Sequence, residues 1–123
     1  MAFDQRIIAL CDQEREVELT TYGRVTGRPA RVTLWITTAD GHLYIRSGRG
    51  METRDWPRNL RARLEGILHV AGEDVPVRAR HLSPLAARAV SDLVTAKYGV
   101  ARADVPPGEP TPAETATFEL APA

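Results

Sequence analysis

The spacing of hydrophobic positions changes several times along the chain, and each change marks an element. Phe3, Ile7, Leu10 and Cys11 recur at helical spacing, so residues 3–14 predict a helix with one apolar face. From residue 15 the period shortens to two. Val17 and Leu19 alternate with Glu16 and Glu18, which predicts a half-buried strand over 15–22. GRVTGRP is turn material, and alternation resumes over 30–38 with Val32, Leu34 and Ile36 on one face. Asp40-Gly41 then separates that run from a return strand at 42–47, whose Leu43 and Ile45 share the inner face. Such a dipeptide between two alternating runs is a strong hairpin signal.

Residues 53–63 predict a short helix in which Trp56, Leu60 and Leu64, spaced by four, pack inward. GILHVAG and VPVRARHL predict a second hairpin, strands 66–71 and 75–81, turning around Gly72, Glu73 and Asp74. Ser83 and Pro84 form a helix start, serine as the cap and proline at the first helical position. Leu85, Ala89 and Leu93 carry that helix to Tyr98, and Gly99 stops it. Residues 100–113 are a Pro-rich loop, and 115–120 a last strand. The chain therefore predicts a mainly β, α+β domain over residues 1–123. Its six antiparallel strands close towards a barrel, with N-terminal, middle and late peripheral helices.

Composition narrows the function. Lys+Arg and Asp+Glu both number 16 in 123 residues, so the formal net charge is zero. A general nucleic-acid binder is usually plainly basic, and aromatic content of 6% offers few stacking platforms for single strands, so that class is disfavoured. Cys11 is the one cysteine, which excludes an internal disulfide. No apolar run approaches the roughly 20 residues of a membrane span. The N-terminal residues lack a secretion signal, so the expected location is cytoplasmic. His42, His69 and His81 fall on different predicted strands without ligand spacing, so no metal is expected. No serine or cysteine sits in a nucleophile pattern.

Charge is concentrated rather than absent. Lys97 is the sole lysine, and six arginines lie between residues 46 and 63. Arginine forks onto phosphate or carboxylate where lysine offers a point charge. Two Gly-rich turns carry part of this charge. Gly23 and Gly27 are flanked by Arg24, Arg28 and Arg31. Gly48 and Gly50 enclose Arg49 just before a helix. Each turn reads either as plain hairpin chemistry or as an anion cradle of backbone N–H groups. Arg54, Arg58 and Arg61 form a separate ridge, away from the apolar helix face. The expectation is that the two turns serve one anionic small molecule while this ridge is solvated. Asn59, at the edge of the apolar face, is placed to satisfy backbone groups of the neighbouring turn.

Three motifs in order, ELTTYGRVTGRPARVTLW, DGHLYIRSGRG and WPRNLRA, resemble the deazaflavin-dependent nitroreductase family, over about residues 17–98. LVTAKYG is similar to that family's late helix. The resemblance implies the split β-barrel shared with flavin-mononucleotide oxidases, and coenzyme F-420, a deazaflavin, as cofactor. Hydride would pass to a quinone, nitro compound or activated alkene. It implies that Gly23, Arg24, Thr26 and Gly27 lie near the cofactor's tail, with Arg28, Arg31 and Arg49 on its acidic groups. It implies Ser47 near the ring, on the turn of Gly48 and Gly50, with Trp56 and Asn59 in the supporting helix and Tyr98 on the substrate side. By analogy it implies a homodimer. Gly48 follows the serine where the family usually has lysine, which leaves Arg49 to substitute. Flavin mononucleotide is the alternative cofactor. A non-catalytic module for a flavin, tetrapyrrole or other anion is the reading from another class.

Overall fold

The computed structural model describes residues 2–123. Four helices and seven strands follow in the order α1 (Gln5–Gln13), β1 (Val17–Tyr22), β2 (Pro29–Leu34), β3 (Ile36–Ala39), β4 (His42–Arg46), α2 (Asp55–Ala62), β5 (Glu65–Val70), β6 (Glu73–His81), α3 (Pro84–Tyr98), α4 (Pro112–Thr115) and β7 (Thr117–Pro122). The strands form one antiparallel sheet in the order β2-β1-β5-β6-β7-β4-β3. Its two edge strands, β2 and β3, are neighbours in sequence. The sheet must therefore curl until its edges approach each other at Trp35, although no ladder joins them. That open seam makes the fold a split, half-closed barrel of the α+β class, as the pattern and the resemblance predict.

The strand count is seven rather than six because the predicted 30–38 strand is two. The break falls at Trp35, and its cause is a clamp from α3. The Tyr98 hydroxyl accepts from the Ile36 N–H at 3.0 Å and lies 2.9 Å from the carbonyl oxygens of both Ile36 and Arg15, one of which takes its proton. Lys97 Nζ donates to the carbonyls of Ile36 and Cys11 at 2.8 and 2.7 Å. Backbone groups committed to side chains cannot also extend the β1–β2 ladder. Tyr98→Phe would leave the Ile36 N–H buried and unpaired. It is expected to lower stability by about 1–3 kcal/mol, read as a lower urea midpoint at unchanged slope.

Other local signals behave as the sequence predicts. Asp4 caps α1, and Ser83 caps α3 by accepting from the Ala86 N–H, with Pro84 in the first turn. Gly99 ends α3 at φ 73, a backbone region that favours glycine. Asp40 and Gly41 both have positive φ, the geometry of a two-residue hairpin turn. The second hairpin turns on Ala71-Gly72, both at positive φ, so Glu73 and Asp74 belong to β6 rather than to the turn. α4 falls where the loop and last strand were expected.

The main core lies inside the curl. Leu19, Ile36, Leu43, Leu68, Phe118 and Leu120 are essentially inaccessible there. α2 closes one end with Trp56 and Leu60, buried as expected. Leu64 departs from the expectation of an inward-facing row. α2 ends at Ala62, Arg63 is extended, and Leu64 is 44% exposed. Leu82, Ala87 and Val90 make a smaller cluster with Tyr44 beneath α3, on the other side of β4. β4 is thus sandwiched, and its alternate residues serve two different interiors.

Candidate functional site

That sandwich leaves a gap. A groove of about 840 Å³ opens between β3–β4 and α3. The strands contribute Thr37, Tyr44 and Arg46, and α3 contributes Val90, Ser91 and Val94. Val100–Ala103 and Thr111 bring in the Pro-rich segment, and Trp35 lines the groove from the barrel seam. Ser47, Gly48, Arg49, Thr53, Arg54 and Trp56 supply the turn after β4 and the approach to α2. A space of this size is in the range of cofactor and ligand clefts.

Two features of the lining call for a ligand. Ser47 and Thr37 are each 3% exposed, and neither the Ser47 Oγ nor the Thr37 Oγ1 has a hydrogen-bond partner. Buried hydroxyls are normally paired, so two unpaired ones at the wall of one groove stand out, and because both oxygens are shielded from solvent a bound group would reach them only with a small movement of that wall. Charge is the second feature. Arg46, Arg49, Arg54 and Arg102 line the groove, against one carboxylate, Glu16. In a chain of zero net charge, this concentrates positive potential in one place. Arg49 and Arg54 are exposed and make no ion pair among the described residues.

The other two arginines belong to a buried network. Arg46 donates to Ser91 Oγ and to the Ala87 carbonyl, both at 2.9 Å. Ser91 in turn donates its hydroxyl hydrogen bond to Glu114, Oγ to Oε2 at 2.7 Å. Arg102 grips the same carboxylate with Nε at 2.7 Å and Nη2 at 2.9 Å, and the Thr111 N–H donates to it at 2.9 Å. Glu114 is 1% exposed. Hydrogen bonding from Arg102, helped by Thr111 and Ser91, pulls its carboxyl down to about 2. Thr111 and Glu114 also form a capping box on α4. One carboxylate thus pins the Pro-rich segment to α3 and, through Ser91, to β4.

Of the residues assigned to the cofactor or substrate from sequence, Ser47, Gly48, Arg49 and Trp56 line the groove; the others of that set lie elsewhere. Gly23, Thr26 and Gly27 build a closed turn, in which the Gly23 N–H donates to the Arg28 carbonyl and the Arg28 N–H to Thr26 Oγ1. Arg24 is tied to α2. Its N–H and its Nη1 both donate to Asn59 Oδ1, at 3.1 and 2.7 Å, and its Nη2 reaches Asp55. Asn59 therefore satisfies the neighbouring turn, as expected of it. Arg31 pairs with Glu18, and Arg28 is exposed away from the groove. Gly50 lies against Pro112, where an added Cβ would sit 3.3 Å from the proline Cβ. Tyr98 is spent on the clamp at Ile36. Of the two Gly-rich turns, one lines this groove and the other does not. The ridge also divides: Arg54 lines the groove, Arg58 is half-buried between Glu52 and Asp55, and Arg61 is exposed.

Sequence reasoning missed Trp35, Thr37, Arg46, Ser91, Arg102 and Glu114. Two signals were available. Trp35 is a large apolar side chain on the polar phase of an alternating strand. Thr111-Pro112-Ala113-Glu114 is a capping-box sequence inside a stretch taken as loop. The histidines are engaged singly: His42 with Glu119, His69 with Thr20 and Asp74, His81 with the Thr115 carbonyl. Among the described residues, no helix is long and apolar enough to cross a membrane.

Comparison with known proteins bears on this geometry. Residues 8–120 match the family described as "Uncharacterized protein conserved in bacteria (DUF2255)". A search of curated proteins finds no match. Solved structures share the fold at low identity. An F420-H2 dependent reductase is 18% identical, with a TM-score of 0.63 over 87% of this chain and 94% of that one. A putative pyridoxamine 5'-phosphate oxidase from Listeria innocua is 13% identical, with a TM-score of 0.61 over 97% and 90%. HutZ, the heme storage protein of Vibrio cholerae, is 12% identical, with a TM-score of 0.64 over 100% and 92%. At these identities the likeness establishes the split-barrel fold.

Proposed function

We propose that this chain, which belongs to the bacterial DUF2255 family, is a split-barrel oxidoreductase holding a deazaflavin in the groove beside β4. The observation that carries the reading is the pair of buried, unpaired hydroxyls of Ser47 and Thr37 in a groove rimmed by unpaired arginines. A ring bearing hydrogen-bonding heteroatoms fits the hydroxyls, and an acidic tail fits Arg49 and Arg54, which can fork onto phosphate or carboxylate. When bound and reduced, such a cofactor supplies a hydride to a small acceptor. The chain's share is binding, orientation and exclusion of water. Ser47 and Thr37 would orient the ring, Arg49 and Arg54 would hold the tail, and Trp56 would form an apolar wall. The Pro-rich segment pinned by Glu114 would shield one side. Gly23, Arg24, Thr26, Gly27, Arg28, Arg31 and Asn59 would support the barrel end and α2 rather than touch the cofactor. The fold's occurrence in an F420-H2 dependent reductase is compatible with a deazaflavin, and its occurrence in a putative pyridoxamine 5'-phosphate oxidase keeps flavin mononucleotide as the alternative.

A second reading is a non-catalytic module for a flavin or tetrapyrrole, and one observation favours it. Among the described residues, none lining the groove is a histidine, cysteine or lysine to move a proton near neutral pH, and burial pushes the tyrosine there, Tyr44, above the ordinary phenol value. Turnover separates the two readings, since both require the same binding site. β2 exposes Pro29, Ala30, Arg31 and Thr33 at an open sheet edge, and we take that edge as where two copies would pair.

Fluorescence titration of coenzyme F-420 and flavin mononucleotide tests the site. The wild type is expected to bind. Arg49→Ala and Arg54→Ala should each weaken binding by about 1.5–3 kcal/mol, roughly ten- to a hundredfold, and Ser47→Val should also weaken it. Arg24→Ala should leave affinity little changed, because its guanidinium already serves Asn59. If the wild type takes up neither cofactor, the reading fails.

A further inference from the structure

Among the described residues, one histidine has both ring nitrogens held by side chains. His69 Nε2 lies 2.7 Å from Thr20 Oγ1, and its Nδ1 lies 2.6 Å from Asp74 Oδ1. A carboxylate only accepts, so Asp74 fixes the imidazole proton on Nδ1. Nε2 is then the bare nitrogen, and the Thr20 hydroxyl donates to it. A hydroxyl on a base, with that base oriented by a carboxylate, is the arrangement that makes an alcohol nucleophilic, and it is recognised by geometry rather than by sequence position. The sheet does not need these bonds. β1 is already laddered to β5 over Glu18–Thr20, and β5 to β6 over Glu65–Val70. The Asp74 side chain is 73% exposed, where an ion pair or hydrogen bond adds little stability.

The surroundings suit a small ligand. Thr20 lies on the outer face of the sheet, out of phase with the buried Val17 and Leu19. β1 runs between β2 and β5, so Arg31 stands directly across from Thr20 on one side while His69 reaches it from the other. Side chains paired in this way have Cβ atoms about 5 Å apart, which puts the Arg31 guanidinium within reach of a group bonded to Thr20. Glu18 holds that guanidinium on the same face at 3.2 Å. Arg31, His69 and Asp74 line a second open space of about 350 Å³, near the lower end of ligand clefts. Thr20, His69 and Asp74 line no part of the groove beside β4. Glu16, Glu18, Glu73 and Asp74 face Arg31 across the second space, so it disfavours anions. Thr20 is β-branched and half-buried, which holds its hydroxyl in one rotamer against the histidine.

We propose that Thr20, His69 and Asp74 form a second site, independent of the cofactor groove, that takes an acyl group from a small, uncharged, activated ester. Thr20 Oγ1 bonds the carbonyl carbon as its proton passes to His69 Nε2, and the carbonyl π electrons move onto the oxygen beside Arg31. Those electrons return, the bond to the leaving oxygen breaks, and Nε2 gives its proton to that oxygen. The products are acyl-Thr20 and the free alcohol. Water, deprotonated by the same nitrogen, then attacks the acyl carbon and releases the carboxylic acid and the Thr20 hydroxyl. No oxidation or reduction is involved. Thr20 and His69 are the catalytic residues, and Asp74 is a positioning residue that acts through His69.

The test uses p-nitrophenyl acetate with the full chain. The wild type should release a burst of nitrophenol matching the protein concentration, and peptide mass analysis should place an acetyl group on Thr20. Thr20→Val should abolish both, and Thr20→Ser should restore them. His69→Gln should slow the burst about a hundredfold or more. Asp74→Asn should slow it less, with recovery in Asp74→Glu at an unchanged melting temperature, a pattern that a merely structural aspartate would not give. An anionic donor of the same acyl group, 4-acetoxybenzenesulfonate, should react less well once each rate is divided by that ester's rate with hydroxide; the reverse order overturns the choice of an uncharged donor. Absence of a burst, a burst that survives Thr20→Val, or an acetyl group mapped elsewhere overturns the site. Should Thr20→Val not fold, the position of the acetyl group in the wild type decides alone. Cofactor titration reports on the groove and acetylation on Thr20, so the two readings fail separately.

Discussion

Glu114→Ala is expected to cost about 2–4 kcal/mol of stability, somewhat less than breaking a fully buried ion pair, because the Arg102 side chain keeps partial access to solvent. The loss would not be confined to one contact. Glu114 accepts from Arg102, Ser91 and Thr111 at once, and its side chain closes the capping box on α4. Without it, the Arg102 guanidinium loses its counter-charge, and Ser91 loses the acceptor that lets it receive from Arg46. The acid dependence carries a distinct sign. The folded-state carboxyl is held at about 2, below the ordinary value of 4.5, so its contribution is fully present above the ordinary value and is lost as pH falls towards 2. Thermal melts of wild type and Glu114→Ala should therefore differ by a constant amount at neutral pH and converge between about 4.5 and 2. A difference that does not shrink in acid would mean that the carboxylate's charge is not what stabilises the network.

Trp56→Ala should cost a comparable 3–5 kcal/mol, the usual range for a large aromatic truncated in a core. Trp56 is 3% exposed and packs at a tilt against Phe118, ring centroids 6.1 Å apart, and Phe118 in turn stacks on His81 at 4.8 Å. Removing the indole opens a cavity where α2 meets β7, beside the groove. The variant should show a large drop in urea midpoint together with loss of cofactor binding. Trp56→Phe should recover most of the stability, since it returns most of the lost volume. If Trp56→Ala melts near the wild type, α2 does not close the barrel end as described.

The architecture was legible because period is a strong signal. Leu43 and Ile45, Val17 and Leu19, and the two positive-φ hairpin turns gave strand and turn placement directly. What broke the pattern at 30–38 was not written there. The break at Trp35 comes from Tyr98 and Lys97, about sixty residues downstream, and a backbone commitment made across the fold leaves no local trace. The site was legible only where it is local. That the serine turn and Arg49 would share one surface could be read, because a Gly-rich turn before a helix is a contiguous feature. Arg46, Ser91 and Glu114 could not, because each looks like an ordinary surface residue until three elements bring them together. The partner of Arg24 was hidden for a related reason. A charged residue in a Gly-rich turn reads as a ligand contact, and nothing near it in sequence reveals that Asn59 already occupies its guanidinium.

The position of β7 has a consequence for how the chain is made. Residues 117–122 come last among the strands, yet they sit in the middle of the sheet, between β6 and β4. Until that segment is synthesised, β2-β1-β5-β6 and β4-β3 are separate pieces with no ladder between them. The unfinished pieces would each present an open strand edge, a template for pairing with other chains. A nascent chain ending before β7 can fold hairpins but cannot assemble the curl, so the whole sheet is deferred to a late, long-range step. Pairings of such separation also place the fold among the slower topologies, in the millisecond-to-second range. The order of translation thus leaves the β6 and β4 edges bare for a time, edges that β7 covers in the finished sheet.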